Sequence, residues 1–342
     1  MSSPLPAADR THSRQFWVEE PGVGRIRSVP LPPPAPGQVT VRTLYSAVSR
    51  GSETLVFRGE VPPSQHRIMR APFQEGEFPG PVCYGYQNVG VVEAVHEGAD
   101  PSLAGTTVFS LSPHRDRFHI AASAVHPLPE GLPPRRATLA ANAETALNAL
   151  WDGSPGPADS IVVVGGGVVG LLVARFCGGI PGTTVQVVDP HGARRAAVHE
   201  LGCTWSAGLP GALEAAADLV FHASGHPDGL RTALRAAGPD ATVVELSWYG
   251  SGDVAVPLGG GFHHRRLRIR SSQVGSVPPE RAPRWSRERR MGAALRLLAA
   301  DPVLDVLLEK PCSLEVLPSV MARLARPGPG PLAQLVDHDA GG

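Results

Sequence analysis

The pattern of hydrophobic positions changes period near residue 137. From Gln15 to about Asn142, short apolar runs alternate with polar positions and are bounded by Gly and Pro, as half-buried strands are. Residues 16–18, 25–29, 39–48, 88–95 and 105–110 predict strands, and 30–37 a proline-rich connection. Many short strands with little helix predict a compact, partly closed β domain. Beyond residue 137 the pattern becomes an alternation of strand and helix. Residues 137–151 predict an alanine-rich helix and 152–159 a polar loop. Strands follow at 160–164, 184–188, 218–222, 241–246 and 267–270, with helices at 168–175, 194–201, 229–237 and 291–300. That order predicts a doubly wound parallel sheet. A helix over 314–324 and a strand over 332–336 close the chain, and this tail is expected to return to the first domain. Residues 1–14, rich in Pro and Ser, read as a frayed tail.

The centre of the second half is the run Ser160-Ile161-Val162-Val163-Val164-Gly165-Gly166-Gly167-Val168-Val169-Gly170. Consecutive β-branched residues suit a strand buried on both faces. Gly165, Gly167 and Gly170 have the spacing G-x-G-x-x-G. The first permits a tight turn, the second lets the backbone approach a pyrophosphate, and the third lets helix pack on strand. The next strand ends in Asp189, about 20 residues on, where an acid binds a ribose 2′-hydroxyl. Gly167, Val168 and Val169 are expected to face the pyrophosphate at a helix N-terminus. Asp189 favours NAD over NADP, because a carboxylate repels a 2′-phosphate. Arg194, five residues on, bears on the same choice. Ser224, Ser247 with Trp248, and Ser272 follow later strands at the carboxyl edge, where the nicotinamide half is expected. Trp248 reads equally as packing.

Composition narrows the field further. The chain of 342 residues carries 31 basic and 31 acidic residues, so nothing draws it broadly to nucleic acid or membrane. The four cysteines, Cys83, Cys177, Cys203 and Cys312, form no C-x-x-C pair, which fits a reducing cytoplasm and argues against a cysteine-built zinc site. No apolar run reaches membrane-spanning length, so a cytoplasmic protein is expected.

A β domain, a nucleotide-binding α/β domain and a C-terminal return together resemble the medium-chain alcohol dehydrogenase superfamily over nearly the whole chain. The residues that carry the resemblance are Tyr45-Ser46-Ala47-Val48-Ser49-Arg50-Gly51-Ser52-Glu53, then Tyr84-Gly85-Tyr86-Gln87-Asn88-Val89-Gly90, then Glu144-Thr145-Ala146-Leu147-Asn148-Ala149-Leu150. The resemblance implies an α/β architecture: a GroES-like, partly open β-barrel over residues 1–142, completed by 310–342, and a Rossmann doubly wound sheet over 143–309. It also implies a homodimer, a nicotinamide cofactor and a small-molecule substrate. Arg50 matches a pyrophosphate-binding arginine and Thr145 a neighbour of the nicotinamide.

The departures from the family pattern are equally informative. Ser49 stands where the family has its ligand cysteine, Tyr86 where it has a histidine, and Ala141 or Asn142 near the third ligand. The segment 112–118 replaces the four-cysteine structural lobe. A hydroxyl and a phenol are poor zinc ligands, so no zinc is expected. In this the chain is loosely similar to bacteriochlorophyllide hydroxyethyl dehydrogenase-like proteins. Without a Lewis acid, a hydrogen-bond donor must meet the reacting oxygen. Tyr86 is the first candidate, with Ser52, Glu53 and Ser49 as relay or substrate anchors. The plainer readings are that Tyr86 fills vacated space, that Glu53 pairs with Arg50 or another arginine, and that Glu144 and Asn142 cap a helix. His114 and His119 are weak base candidates at the expected pocket rim. The cluster 263–270 reads as a solvated loop before it reads as an anion site, and the zero net charge argues against nucleic acid at the arginines of 281–290.

The expected activity is zinc-independent hydride transfer between NAD(H), or NADP(H) as the second choice, and a secondary alcohol/ketone pair of a small, polyhydroxylated or biosynthetic metabolite. Reduction of a C=C or C=N bond is the enzymatic alternative. A non-catalytic nucleotide-binding protein is the third.

Overall fold

The computed structural model describes residues 11–340, and the chain divides into two compact units. One holds the residues up to Ala141 together with those from Leu308 onward. The other is Asn142–Leu307.

The first unit opens on an antiparallel hairpin, strands His12–Glu20 and Val23–Pro30, turned at Gly22 with φ +82°. Residues 1–10 of the expected tail lie outside the described residues, but His12, Ser13 and Arg14 already belong to the hairpin. The ladder His12↔Pro30 to Val18↔Gly24 carries the strand well past the apolar core Phe16-Trp17-Val18.

The long strand Gln38–Val48 organises this unit. It pairs antiparallel with Asn88–Val95, with Arg117–Ala121 along its first half, and with Gln334–Asp337 along its end. Val39, Val41, Val92, Val108, Phe118 and Ile120 meet in one buried cluster. Each contributes about 1.5–3 kcal/mol by leaving water. Arg117–Ala121, which begins inside the segment 112–118, is a strand that the hydrophobic pattern does not predict. Its alternation is Phe118 and Ile120 inward, and Arg117, buried with its guanidinium 2.9 Å from Glu93, disguises it. The C-terminal strand starts two residues later than the apolar run suggests, because Leu332 and Ala333 bond instead to Glu309.

In the second unit the described residues form a parallel sheet with the order Thr204–Ser206, Thr184–Val188, Ser160–Val164, Ala217–His222, Ala237–Glu245, Arg268–Ser271. This is the doubly wound order, and it reverses between Ser160–Val164 and Ala217–His222. Ligands bind at the carboxyl end of such a switch point. Val162, Val164, Val220 and Val243 face Leu230, Ala233 and Leu234 of the helix Pro227–Ala236.

Helix ends differ from the sequence reading where capping residues decide them. The helix expected over 137–151 is two: Pro134–Ala137 and Ala140–Gly153. The first stops where the Thr138 hydroxyl donates to the Arg135 carbonyl. Pro227, with its φ already helical, starts the helix expected at 229. The helix expected at 291 begins at Arg287, because the Ser286 hydroxyl accepts from Arg289 N–H. Arg290 therefore lies within the helix. It is 1% exposed and donates to Glu144 at 3.0 Å and to Asn148. Glu144 serves this pair rather than a cap.

Candidate functional site

In the second unit, the strand Ser160–Val164 runs into the glycine turn and the helix Val168–Gly178. Gly165 has φ +110°, and a Cβ there would lie 2.6 Å from Ser224 N. A Cβ on Gly170 would lie 2.0 Å from the Gly165 carbonyl oxygen, so no larger residue permits this turn. Around Gly167 the situation reverses. Nothing lies within 4 Å of a Cβ there, and the residue caps the helix without a side chain. The first-turn N–H groups, Val168 and Val169 among them, have no partner within the helix and carry its positive end. This open cradle fits a dinucleotide pyrophosphate.

Asp189, 8% exposed, closes the turn from the neighbouring strand. One carboxylate oxygen accepts from Gly166 N–H at 2.7 Å and the other from His191 N–H at 2.9 Å. Arg194, buried at the end of a short turn, lays its aliphatic stem beside Gly166. Ser224 is exposed against Gly165. The Ser247 hydroxyl accepts from Gly225 N–H at 3.0 Å, and the Ser272 hydroxyl donates to Asp152 at 2.7 Å. Trp248 is half-buried just beyond Ser247, and Thr145 half-buried on the helix Ala140–Gly153.

The first unit gathers the candidate catalytic residues. Ser49 caps the helix Arg50–Phe57, which polar Arg50-Gly51-Ser52-Glu53 hides from a periodicity reading. Glu53, 3% exposed, folds back to accept from the N-cap N–H of Ser49 at 2.7 Å. Its other oxygen faces Nε2 of His114 at 2.8 Å. Glu53 thus has a histidine partner, not the expected arginine. Arg50 gives its guanidinium to the carbonyls of Leu324, Arg326 and Gly328. His114 is 1% exposed, buried rather than at a rim, and Gly85 passes it where a Cβ would meet the ring at 3.1 Å.

The proton positions in this cluster follow from one carboxylate. Glu53 accepts, so His114 Nε2 donates. In the neutral ring Nδ1 then accepts from the Ser46 hydroxyl at 2.7 Å, and Ser46 accepts from Nε2 of His338 at 2.9 Å. Burial, followed by the neighbouring His114 and Arg14 groups, pushes the His338 pKa down to about 3 and keeps it neutral. His338 Nδ1 is left buried without a partner. The sequence reading missed Ser46 and His338; 292 residues separate them, and only the pairing of Gln334–Asp337 with Gln38–Val48 brings them together.

Beside this chain, the Tyr86 and Ser52 hydroxyls lie 2.6 Å apart. Burial raises the Tyr86 phenol, the negative Glu53 raises it further, and bonds with Ser49 and Ser52 pull the other way; the result is about 12. The phenol is a proton-bearing donor at neutral pH. As metal ligands these residues fit poorly. Ser49 and Tyr86 offer neutral hydroxyls, and both Glu53 oxygens and both His114 nitrogens are already engaged. Among the described residues no group of three His, Cys, Asp or Glu is placed to hold a metal ion. Nor is any helix among them long and apolar enough to cross a membrane.

No family model matches the chain. The chain is 22% identical over 302 residues to the starvation-sensing protein RspB of Escherichia coli K12, covering 77% of this chain and 84% of that protein. It is 24% identical over 275 residues to D-guloside 3-dehydrogenase of the same organism, covering 74% and 78%. The solved structure of acetophenone reductase from Geotrichum candidum NBRC 4597, in complex with NAD, superposes with a TM-score of 0.77 at 14% identity, over 99% of this chain and all of that one. These likenesses establish that the chain has the fold of the medium-chain alcohol dehydrogenases over nearly its whole length.

Proposed function

We propose that this protein is an oxidoreductase that transfers a hydride between NAD(H) and a secondary alcohol/ketone pair of a small, polyhydroxylated or biosynthetic metabolite, without a catalytic zinc. The observation that carries the reading is the Ser52–Tyr86 hydroxyl pair, 2.6 Å apart, with a phenol held protonated where the family resemblance puts a metal ligand. The cofactor supplies or accepts the hydride when bound. The open backbone at Gly167 holds its pyrophosphate, and Asp189 meets the adenosine ribose and disfavours a 2′-phosphate. Tyr86 donates a hydrogen bond, then its proton, to the oxygen of the carbonyl as negative charge develops there. Ser52, at 2.6 Å and half-buried, passes its proton to the phenolate oxygen and takes one back from solvent. Glu53, bound by Ser49 and His114, orients the Ser49–Ser52 turn and adds the charge that keeps Tyr86 protonated. A sugar-oxidising relative and a ketone-reducing structural neighbour support the secondary-alcohol class over reduction of C=C or C=N bonds.

The test is NADH consumption by protein of measured metal content, offered a panel of ketones and keto-sugars beside a panel of enones and imines. Turnover of the carbonyl panel at substoichiometric zinc is expected. Turnover confined to enones or imines, or proportional to bound zinc, would replace this reading. Failure of both panels, with tight cofactor binding, would favour a non-catalytic nucleotide-binding role.

A further inference from the structure

The switch point of the second unit holds a polar cluster outside the hydroxyl site of the first. The strands Ala217–His222 and Ala237–Glu245 end side by side, with His222 paired in register to Glu245. The interior of this sheet is apolar, yet His222 is fully buried. Its Nδ1 lies 2.7 Å from Oε2 of Glu245, and its Nε2 lies 2.6 Å from the Ser224 hydroxyl. The second Glu245 oxygen accepts from Ser247 N–H at 2.7 Å, and the Tyr249 hydroxyl donates to Oε2 at 3.1 Å, its ring stacked on that of His222. Burial works against the Glu245 charge, but hydrogen bonds from His222 and Ser247 outweigh it and hold its pKa below the usual carboxylate value.

A carboxylate accepts only, so His222 Nδ1 carries the proton. In the neutral ring Nε2 is then the acceptor, and the Ser224 hydroxyl must donate inward to it. The Ser224 oxygen also takes His226 N–H at 3.1 Å. What Ser224, exposed, has left to offer outward is a lone pair. Its backbone lies against the glycine turn, since a Cβ on Gly165 would touch Ser224 N and Cα at 2.6 and 2.8 Å. The helix start passes so close to this pair that only glycine fits at residue 229: a Cβ there would come within 2.5 Å of Nε2 and 2.1 Å of the Ser224 Oγ. Ser-His-Glu is also the order of a hydrolytic triad, but the Gly225 N–H is spent on Ser247 and the Ser224 oxygen already accepts from His226. The arrangement holds a hydroxyl still and does not prepare a nucleophile.

We propose that His222 and Glu245 are positioning residues that fix the Ser224 hydroxyl as a hydrogen-bond acceptor for a donor on the nicotinamide half of the dinucleotide, a ribose hydroxyl or the carboxamide N–H. A phosphate oxygen, which only accepts, is refused at this point. The inference rests on the dinucleotide-binding part of the reading above.

The experiment measures NADH and ADP binding by calorimetry for the wild-type protein and for Ser224→Ala, His222→Gln and the double variant, with ¹⁵N NMR of the His222 ring. The expected result is NADH affinity lowered about fivefold to tenfold in each single variant, as for loss of one hydrogen bond. The double variant should lose no more than either single one, ADP affinity should stay unchanged, and the ring should be protonated at Nδ1 alone. Unchanged NADH affinity in both single variants, equal loss of ADP affinity, or a proton on Nε2 would overturn the positioning role. Wild-type protein that binds ADP but neither NADH nor NADPH would overturn the oxidoreductase reading along with it. Wild-type NADH binding with insensitive variants would overturn the positioning role alone.

Discussion

Replacing Glu53 by Gln keeps the volume of a buried side chain and removes its charge. The carboxylate accepts two bonds, from Ser49 N–H at 2.7 Å and from His114 Nε2–H at 2.8 Å. Bonds to a charged group are worth about 1.5–3 kcal/mol and neutral ones about 0.5–1.5, so the two together lose about 2 kcal/mol. An amide also has only one oxygen. Its NH₂ must face either Ser49 N–H or His114 Nε2–H, donor against donor, unless His114 changes tautomer. That change would make Ser46 accept from both His114 Nδ1–H and His338 Nε2–H and leave its own hydroxyl proton without an acceptor. Ending the burial of a charge returns part of the loss. A net destabilisation of about 2–3 kcal/mol follows, or about 4–12 °C in the melting temperature of a unit this size. The assay is thermal unfolding of wild type and variant by calorimetry at neutral pH. A shift below 1 °C would refute the directed chain of bonds from His338 to Glu53.

The remaining predictions concern pH and cofactor choice. His338 has a folded-state pKa near 3 against an ordinary 6.5, so the unfolded chain binds its proton first and stability falls as pH drops through that window. His338→Gln should flatten the wild-type loss by up to about 1.4 kcal/mol per pH unit in urea titrations between pH 6 and 4; parallel curves would show that the ring titrates normally. Tyr86, raised to about 12, keeps its proton in the folded state after the unfolded chain has lost it near 10. Its contribution is therefore complete below pH 10 and fades between 10 and 12. Tyr86→Phe should lose less stability than wild type over that interval, and an identical slope would contradict the shift. Asp189→Asn should lower the ratio of NADH to NADPH affinity in fluorescence titrations; an unchanged ratio would leave Asp189 only its bonds to Gly166 and His191.

The sequence was most legible where local rules suffice. The G-x-G-x-x-G turn, its flanking β-branched strand and Asp189 all lie within thirty residues, and the parallel sheet follows from alternation alone. Glu53 was legible as a residue but not as a partner, since arginines are many and His114 is brought to it only by the folded chain. Ser46 and His338 were invisible for the same reason: a serine in a strand and a histidine near the terminus acquire meaning when an antiparallel ladder joins them. His222 and Glu245 end apolar strands twenty-three residues apart, and only parallel pairing sets them side by side. Helix starts were misplaced where Pro227 or Ser286 sets the end more strongly than the apolar period does.

In the proposed chemistry a phenol does the work of a metal. Its most direct measurement is the single-turnover rate of hydride transfer, followed by NADH absorbance with a saturating ketone, for wild type and Tyr86→Phe. The phenylalanine keeps the ring and removes only the hydroxyl that meets Ser52 at 2.6 Å. A drop of roughly 10²-fold or more in the transfer rate, with NADH affinity unchanged, is the predicted result. An equal rate in the two proteins would contradict it.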